Sequence, residues 1–161
     1  MTRVAITLCL ALTLAVASQA VAQGKADFSG TWRFNQAKSS PGIAGNTPNI
    51  PFPSQLVVKQ SPTEFYVAST SVRQAPLTAT YKLDGSKVTV DAPRGITETG
   101  DAKFDGATLV INTRRSFTSP AGETVINFKE IWSVNGGVLT IEKTRIEDGE
   151  TSSEKAVYVK V

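Results

Sequence analysis

Four dipeptides that favour tight turns recur along this chain, between runs that alternate apolar and polar residues. They are Asp84-Gly85, Asp105-Gly106, Asn135-Gly136 and Asp148-Gly149. Asp-Gly and Asn-Gly tolerate the positive φ angles that a two-residue hairpin turn requires, so each dipeptide predicts a β-hairpin. A succession of such hairpins predicts an antiparallel meander.

The runs between these turns have the period-two alternation of half-buried strands. Leu77, Ala79 and Tyr81, for example, share one face of a segment whose other face carries Thr78 and Thr80. We predict strands near residues 30–36, 55–60, 64–71, 77–83, 86–92, 97–104, 107–116, 123–134, 137–146 and 151–160. Glu130 is an exception on the apolar face of its segment, so we expect it at a rim or facing a wet interior.

The predicted fold class is all-β, a single antiparallel up-and-down β-barrel of roughly eight to ten strands. Closing the sheet removes the exposed edges that so many sequential strands would otherwise leave. An open two-sheet sandwich fits the same strand pattern, but the short turns favour the barrel. A barrel of this size can be filled by side chains or can enclose one small ligand.

The beginning of the chain has the pattern of a cleaved export signal. A basic start at Arg3 precedes an apolar run over residues 4–16, and Ala20-Val21-Ala22 is a small-x-small cleavage sequence. We expect residues 1–22 to be removed, residues 23–161 to form one barrel domain, and the product to be periplasmic or extracellular. An uncleaved anchor is the alternative. The single cysteine, Cys9, lies in the signal, which is compatible with an oxidising compartment.

Composition argues against catalysis and against several classes of partner. The chain has no histidine, and loss of Cys9 would leave no thiol, so the usual general base, thiol nucleophile and zinc ligands are missing. We therefore predict no enzyme activity, no cofactor and no metal site. The 17 Lys and Arg are interspersed with 14 Asp and Glu, without the basic stripe of a nucleic-acid-binding protein. No second long apolar run follows the signal, so we expect no membrane span in the mature chain.

The segment after the signal resembles a known sequence signature. Phe28-Ser29-Gly30-Thr31-Trp32, followed by Asn35 and Lys38-Ser39, resembles the first-strand Gly-x-Trp signature of the calycin superfamily, which includes lipocalins and fatty-acid-binding proteins. The order of these residues is most similar to lipocalin-like domains of small exported bacterial proteins. The resemblance implies a barrel whose apolar interior often holds a small hydrophobic molecule, with Trp32 packed across the closed end.

A ligand in such a barrel would contact inward-facing side chains. The expected apolar walls are Phe65, Val67, Tyr81, Leu109, Ile111, Phe128 and Trp132, and the candidate polar anchors are Arg115, Arg145 and Tyr158. A few polar groups are enough to orient a ligand in an otherwise apolar pocket. The arginines could instead be surface residues of their strands, and Tyr158 a rim or core residue.

The sequence thus predicts an exported, lipocalin-like protein that binds a small hydrophobic molecule without catalysis. The alternative is a solid barrel that serves as a structural or protein-interaction module without a small ligand. Proline-rich residues 40–54 could be a lid over the barrel mouth, a contact surface for another protein, or a solvated connector.

Overall fold

A computed structural model describes the protein over residues 24–40, 52–71, 74–90, 92 and 95–161. Its strands are β1 Gly30–Phe34, β2 Gln55–Gln60, β3 Glu64–Ser71, β4 Gln74–Lys82, β5 Val88–Val90, β6 Ile96–Asp105, β7 Thr108–Ser119, β8 Gly122–Asn135, β9 Val138–Glu147 and β10 Glu150–Lys160. A short 3-10 helix, Gln36–Lys38, follows β1. These bounds confirm the predicted all-β class.

The strands form one antiparallel sheet that curves into a nearly closed barrel. The order across the sheet is β4-β3-β2-β1-β10-β9-β8-β7-β6-β5, so neighbours are consecutive in the chain except for β1 and β10. In that pair Trp32 lies opposite Lys160, and Phe34 lies opposite Tyr158. Pairing of the first strand with the last turns the meander into a barrel. β4 and β5 are left as edges, and we call the gap between them the seam.

Three of the four turn dipeptides form the predicted hairpins. Asp148 and Gly149 are the turn residues between β9 and β10, and their φ angles are positive, 50° and 82°. In the hairpins at Asp105-Gly106 and Asn135-Gly136, the Asp or Asn is the last paired residue of its strand. The two turn residues are Gly106-Ala107 in the first and Gly136-Gly137 in the second. The glycines of these turns also have positive φ angles, a conformation that glycine adopts without steric cost.

The hairpin predicted at Asp84-Gly85 is wrong. Among the described residues, β4 and β5 share no ladder, because Gly85 donates its N–H to the carbonyl oxygen of Ala102 in β6 at 3.1 Å. Asp84 accepts hydrogen bonds from the hydroxyl and the backbone N–H of Ser86, which hold the pKa of its carboxyl below the usual value. The residues of a tight turn are present, but after this turn the chain pairs with β6 instead of with β4.

Side chains help to close the barrel across the seam. The ring of Tyr81 in β4 reaches β6, where Gly100 leaves room for it, and Thr113 of β7 hydrogen-bonds its hydroxyl. A Cβ at Gly100 would stand 2.8 Å from Cε1 of Tyr81 and 3.0 Å from the carbonyl oxygen of Asn112. Pro76, exposed on edge strand β4, has no N–H to offer a further strand. Tyr81 therefore holds β4 against β6 and β7.

An aromatic cluster fills one end of the barrel, which we call the plugged end. Phe28 is fully buried and packs edge-on against Phe65 and Trp132, with ring centroids 6.1 and 6.2 Å away. Phe65 and Trp132 also pack edge-on against each other, at 5.3 Å. Phe104 completes the cluster at 6.3 Å from Phe28. Each such aromatic pair contributes about 0.5–1.5 kcal/mol beyond the burial of its surface.

Hydrogen bonds fix Phe28, which precedes β1, inside the plugged end. Gln60 of β2 accepts the N–H of Phe28 at 3.1 Å and donates to the carbonyl oxygen of Ala26 at 2.9 Å. Trp32 donates its indole N–H to the carbonyl oxygen of Phe28 at 2.8 Å. Trp32 is itself buried, so it is a core residue of this end of the barrel.

Two predictions concern residues outside the described ranges. The signal, residues 1–22, precedes the first described residue, and residues 41–51 include most of the proline-rich segment. Cleavage of the signal and capping by the segment therefore stay predictions. The described end of the segment lies against the barrel: the ring of Phe52 is 5.6 Å from that of Phe34, and Ser54 accepts the N–H of Phe34 at 3.0 Å.

We expect Gly100→Ala to destabilise the protein by about 1–3 kcal/mol, the usual cost of overpacking an interior. The added methyl group would collide with the Tyr81 ring, and the carbonyl oxygen of Asn112 limits any adjustment. Gly24→Ala is the control, because a methyl group there would meet no atom within 4 Å. Urea unfolding measures both variants, and an unchanged free energy of unfolding for Gly100→Ala would contradict this packing.

Candidate functional site

Beyond the plugged end, the inner face of the barrel becomes polar. Strands β6 to β10 continue their alternation past the buried Leu109 and Trp132, so every second residue still faces the interior. We use the name charged wall for the inward-facing charged residues that are at least partly buried, namely Glu98, Arg115, Glu130, Lys143, Arg145, Glu147 and Glu154; Glu150 and Lys160 are exposed at the strand ends and are not included. We call the part of the interior that they line the far half.

Ion pairs neutralise most of the charged wall. The pairs are Arg115 with Glu98, Lys143 with Glu130, and Arg145 with Glu147. The first joins β7 to β6 with an N–O distance of 2.6 Å, and the second joins β9 to β8 at 3.3 Å. The side chains of the six residues are between 11% and 36% exposed, so water reaches the inner face here.

Phe128 lies among these charges, half-buried on the inner face of β8. The ammonium of Lys143 is 4.6 Å from its ring centroid and the guanidinium carbon of Arg115 is 5.5 Å away, so both cations interact with the ring. Glu130, two residues further on the same face, also accepts the indole N–H of Trp132 at 2.9 Å. Glu130 therefore faces a wet interior, one of the two locations expected from the sequence.

Two tyrosines border the charged wall. Tyr81 and Tyr158 are buried, and burial, together with the nearby carboxylate of Glu130, raises the pKa of each hydroxyl well above its usual value. The charge of Glu154 adds to the effect at Tyr158. Both hydroxyls stay protonated at neutral pH, so they are neutral hydrogen-bonding groups beside the charges.

Glu154 differs from the other residues of the charged wall, since within the described part of the chain it forms no ion pair. It lies on β10 opposite Lys143, whose ammonium pairs with Glu130. Burial raises the pKa of the Glu154 carboxyl; Lys143 and Arg145 oppose this rise, and Glu130 adds to it. The far half therefore contains a partly buried carboxylate whose charge is incompletely compensated.

The residues predicted to line a pocket occupy three levels of the barrel. Phe65, Leu109 and Trp132 are buried at the plugged end; Val67, Tyr81, Ile111 and Tyr158 lie in the middle; Arg115, Phe128 and Arg145 lie in the far half. Of the alternatives left open by the sequence, the two arginines face the interior rather than the outer surface, and Tyr158 is a core residue. The structure thus brings Arg115 and Phe128 together but keeps them apart from Phe65.

The sequence prediction of site residues missed part of the charged wall, namely Glu98, Glu130, Lys143, Glu147 and Glu154. The sequence does contain a signal for inward-facing charges. Once Leu109 is assigned to the interior, the two-residue alternation of a strand places Arg115 on the same face. The same continuation from Ile141 places Lys143 and Arg145 inside. Charged residues at inward positions are uncommon unless they are paired, and the pairing follows only from the strand register.

Other features of the structure lie apart from this interior. A surface pocket of about 390 Å³ near the plugged end is lined by Lys25, Pro62, Thr63, Glu64, Lys82, Leu83 and Asp84. Over the described ranges, no group of three or more His, Cys, Asp or Glu side chains could hold a metal ion. The same ranges contain no helix that is long and apolar enough to cross a membrane.

Comparison with known proteins shows the fold. No protein-family model and no curated protein sequence matches this chain. Among solved structures, the chain is similar to zebrafish ileal bile acid-binding protein complexed with cholic acid, with a TM-score of 0.56 and 14% identity, covering 83% of this chain and 98% of that one. It is also similar to secretory abundant heat soluble protein 4 from Ramazzottius varieornatus, with a TM-score of 0.50 and 17% identity, covering 83% and 94%. The fold is a calycin-like β-barrel, as the Gly-x-Trp segment predicts.

We expect Glu154→Gln to raise the free energy of unfolding at neutral pH. The raised pKa in the native state means that this state holds the proton more tightly than the unfolded chain does. Stability is therefore lost as the pH rises from the carboxyl's ordinary pKa of 4.5 through its folded pKa, and glutamine removes that loss. The gain of the variant should shrink as the pH falls towards about 4, where both states become protonated.

Urea unfolding across this pH range measures the effect. Glu142→Gln is the control, because Glu142 is exposed on the outer face of β9. A Glu154→Gln variant that is less stable than the unmodified protein at neutral pH would contradict the incomplete compensation of this carboxylate.

Proposed function

We propose that this protein binds a small, largely hydrophobic molecule in the far half of its barrel and catalyses no reaction. The observation that carries the proposal is the contrast between the two halves of the interior. Aromatic rings fill the plugged end, whereas the inner-face side chains of the far half remain partly exposed. An interior that is filled at the plugged end and accessible in the far half suits a small ligand, because ligand sites are concave and bury most of the ligand surface.

Short inward-facing side chains support the presence of space for a ligand. Ser69 of β3 and Ala79 of β4 lie on the inner face of one side of the barrel. Ser152 of β10 lies on the inner face of another, where it is partly exposed. A barrel with this number of strands is wider than the smallest closed barrels, whose interior ordinary side chains can fill.

The fold likeness supports the same proposal. The similar zebrafish protein is a bile acid-binding protein in complex with cholic acid, so a barrel of this fold can hold an amphipathic molecule. We further propose that the chain is one of the lipocalin-like domains of small exported bacterial proteins, on the resemblance carried by residues 28–39.

A second candidate is a solid structural or protein-interaction module, and one observation favours it. Over the described ranges, no buried side-chain nitrogen or oxygen lacks a hydrogen-bond partner. The ion pairs of the charged wall likewise engage six of its seven residues without a ligand. In this case the barrel would act through its outer surface, with residues 40–54 as the first region to delete in a test for protein partners.

The uncharged, environment-sensitive dye Nile red tests the leading proposal. We expect saturable binding with increased fluorescence, and we expect Ser152→Trp to weaken it about tenfold or more by filling the far half. Ser153→Trp is the matched control, because the neighbouring Ser153 is exposed on the outer face of β10. Protein that binds no dye, and carries no small molecule in native mass spectrometry after purification from its host, would favour the solid module.

We also propose that the protein is exported to the periplasm or the cell exterior, on the basis of its basic start, apolar run and Ala20-Val21-Ala22. Expression of the full chain in a bacterial host should give a mature protein that begins at Gln23. N-terminal sequencing and intact mass measure this directly. Ala20→Arg and Ala22→Arg together should block cleavage, and unmodified protein that remains in the cytoplasm with Met1 intact would contradict the proposal.

A further inference from the structure

We propose that the far half prefers a cationic amphiphile to an anionic one of the same chain length, with the Glu154 carboxylate as the contact for the positive group. This inference rests on the proposed ligand-binding function and specifies the class of ligand. It depends on which inward-facing charged residues form ion pairs, and the fold alone does not determine this.

An anionic ligand would need an available cation in the far half. Over the described ranges, the inward-facing cations of the charged wall are Arg115, Lys143 and Arg145. Each already contacts a carboxylate, and two of them also interact with the ring of Phe128. An anionic head group would have to separate one of these cations from its carboxylate. The exchange would gain little binding free energy, because it replaces one ion pair by another and leaves a carboxylate without its cation.

Carboxylates outnumber cations in the charged wall. Glu98, Glu130 and Glu147 are in ion pairs, and Glu154 is the one that remains. A cation placed beside Glu154 would bring the wall from four carboxylates and three cations to electrical balance. An anion in the same place would add like charge to a partly buried site, which opposes binding.

The surroundings of Glu154 fit a positively charged group attached to an apolar chain. The hydroxyl of Tyr158 lies close enough for the charge of Glu154 to affect it, and this hydroxyl stays neutral. The ring of Tyr158 is itself buried against Phe34, whereas the half-buried ring of Phe128 lies beside Lys143, the residue opposite Glu154, and offers apolar surface near the carboxylate. Lys143 and Arg145 face the same space but are engaged with Glu130 and Glu147. The carboxylate would bind the ligand's cation, and the exposed part of the Phe128 ring would contact the beginning of its chain.

Three probes with one chain length separate charge from hydrophobicity: decyltrimethylammonium, decanoate and the neutral decyldimethylphosphine oxide. Calorimetric titration of the mature protein at neutral pH, below micelle-forming concentrations, gives a Kd for each. We expect the cationic probe to bind about tenfold more tightly than decanoate, with the neutral probe between them. Decanoate binding as tightly as the cationic probe, or more tightly, would overturn the inference while leaving the proposed function in place.

Substitutions then test the assigned contact. Glu154→Gln should bring the Kd values of the cationic and anionic probes close together and should change that of the neutral probe less than that of the cationic probe. Glu142→Gln, on the outer face of β9, should keep the full preference. An unchanged preference in Glu154→Gln would overturn the assignment of Glu154. Failure of all three probes to bind the folded, unmodified protein would overturn the proposed function, and the inference with it.

Discussion

The insertion of Phe28 into the plugged end is the interaction on which the rest of the structure depends. Its ring joins strands from opposite parts of the sheet, because Phe65 belongs to β3 and Trp132 to β8. Its backbone is held by Gln60 and Trp32, so the segment before β1 is part of the core. The pairing of β1 with β10 then closes the sheet around this plug. This arrangement places the cluster of Phe28, Phe65, Phe104 and Trp132 at one end of the interior and leaves the charged wall at the other.

The charged wall arises because strands β6 to β10 extend beyond the plugged end and still place every second side chain inside the barrel. Residues with long polar side chains reach water in the far half, yet they are confined on a concave surface and compensate one another. Glu130 connects the two regions, since it accepts the indole N–H of Trp132 and pairs with Lys143. The interior therefore changes from apolar to charged along the barrel axis, which would orient an amphipathic ligand with its polar group in a defined place.

Most of the fold could be predicted from the sequence because its signals are local. Alternation located the strands, and Asp148-Gly149 identified a hairpin from the residues that adopt its positive φ angles. The Asp84-Gly85 prediction failed because the turn is decided by a hydrogen bond to Ala102, which is distant in the chain. The charged wall escaped prediction for a similar reason: Arg115 and Glu98 are 17 residues apart and meet only through the register of β6 and β7. Alternation alone could place Arg115 inside, but not its partner.

We propose the far half of the barrel as the binding site. Nuclear Overhauser contacts between bound decyltrimethylammonium and the assigned protein test it most directly. We predict contacts from the probe's chain and methyl groups to the ring of Phe128 and to the methylene groups of Ser152 and Glu154, which are partly exposed on the inner face of β8 and β10. Contacts confined to the outer surface, such as Ile146 or the pocket around Leu83, would contradict it.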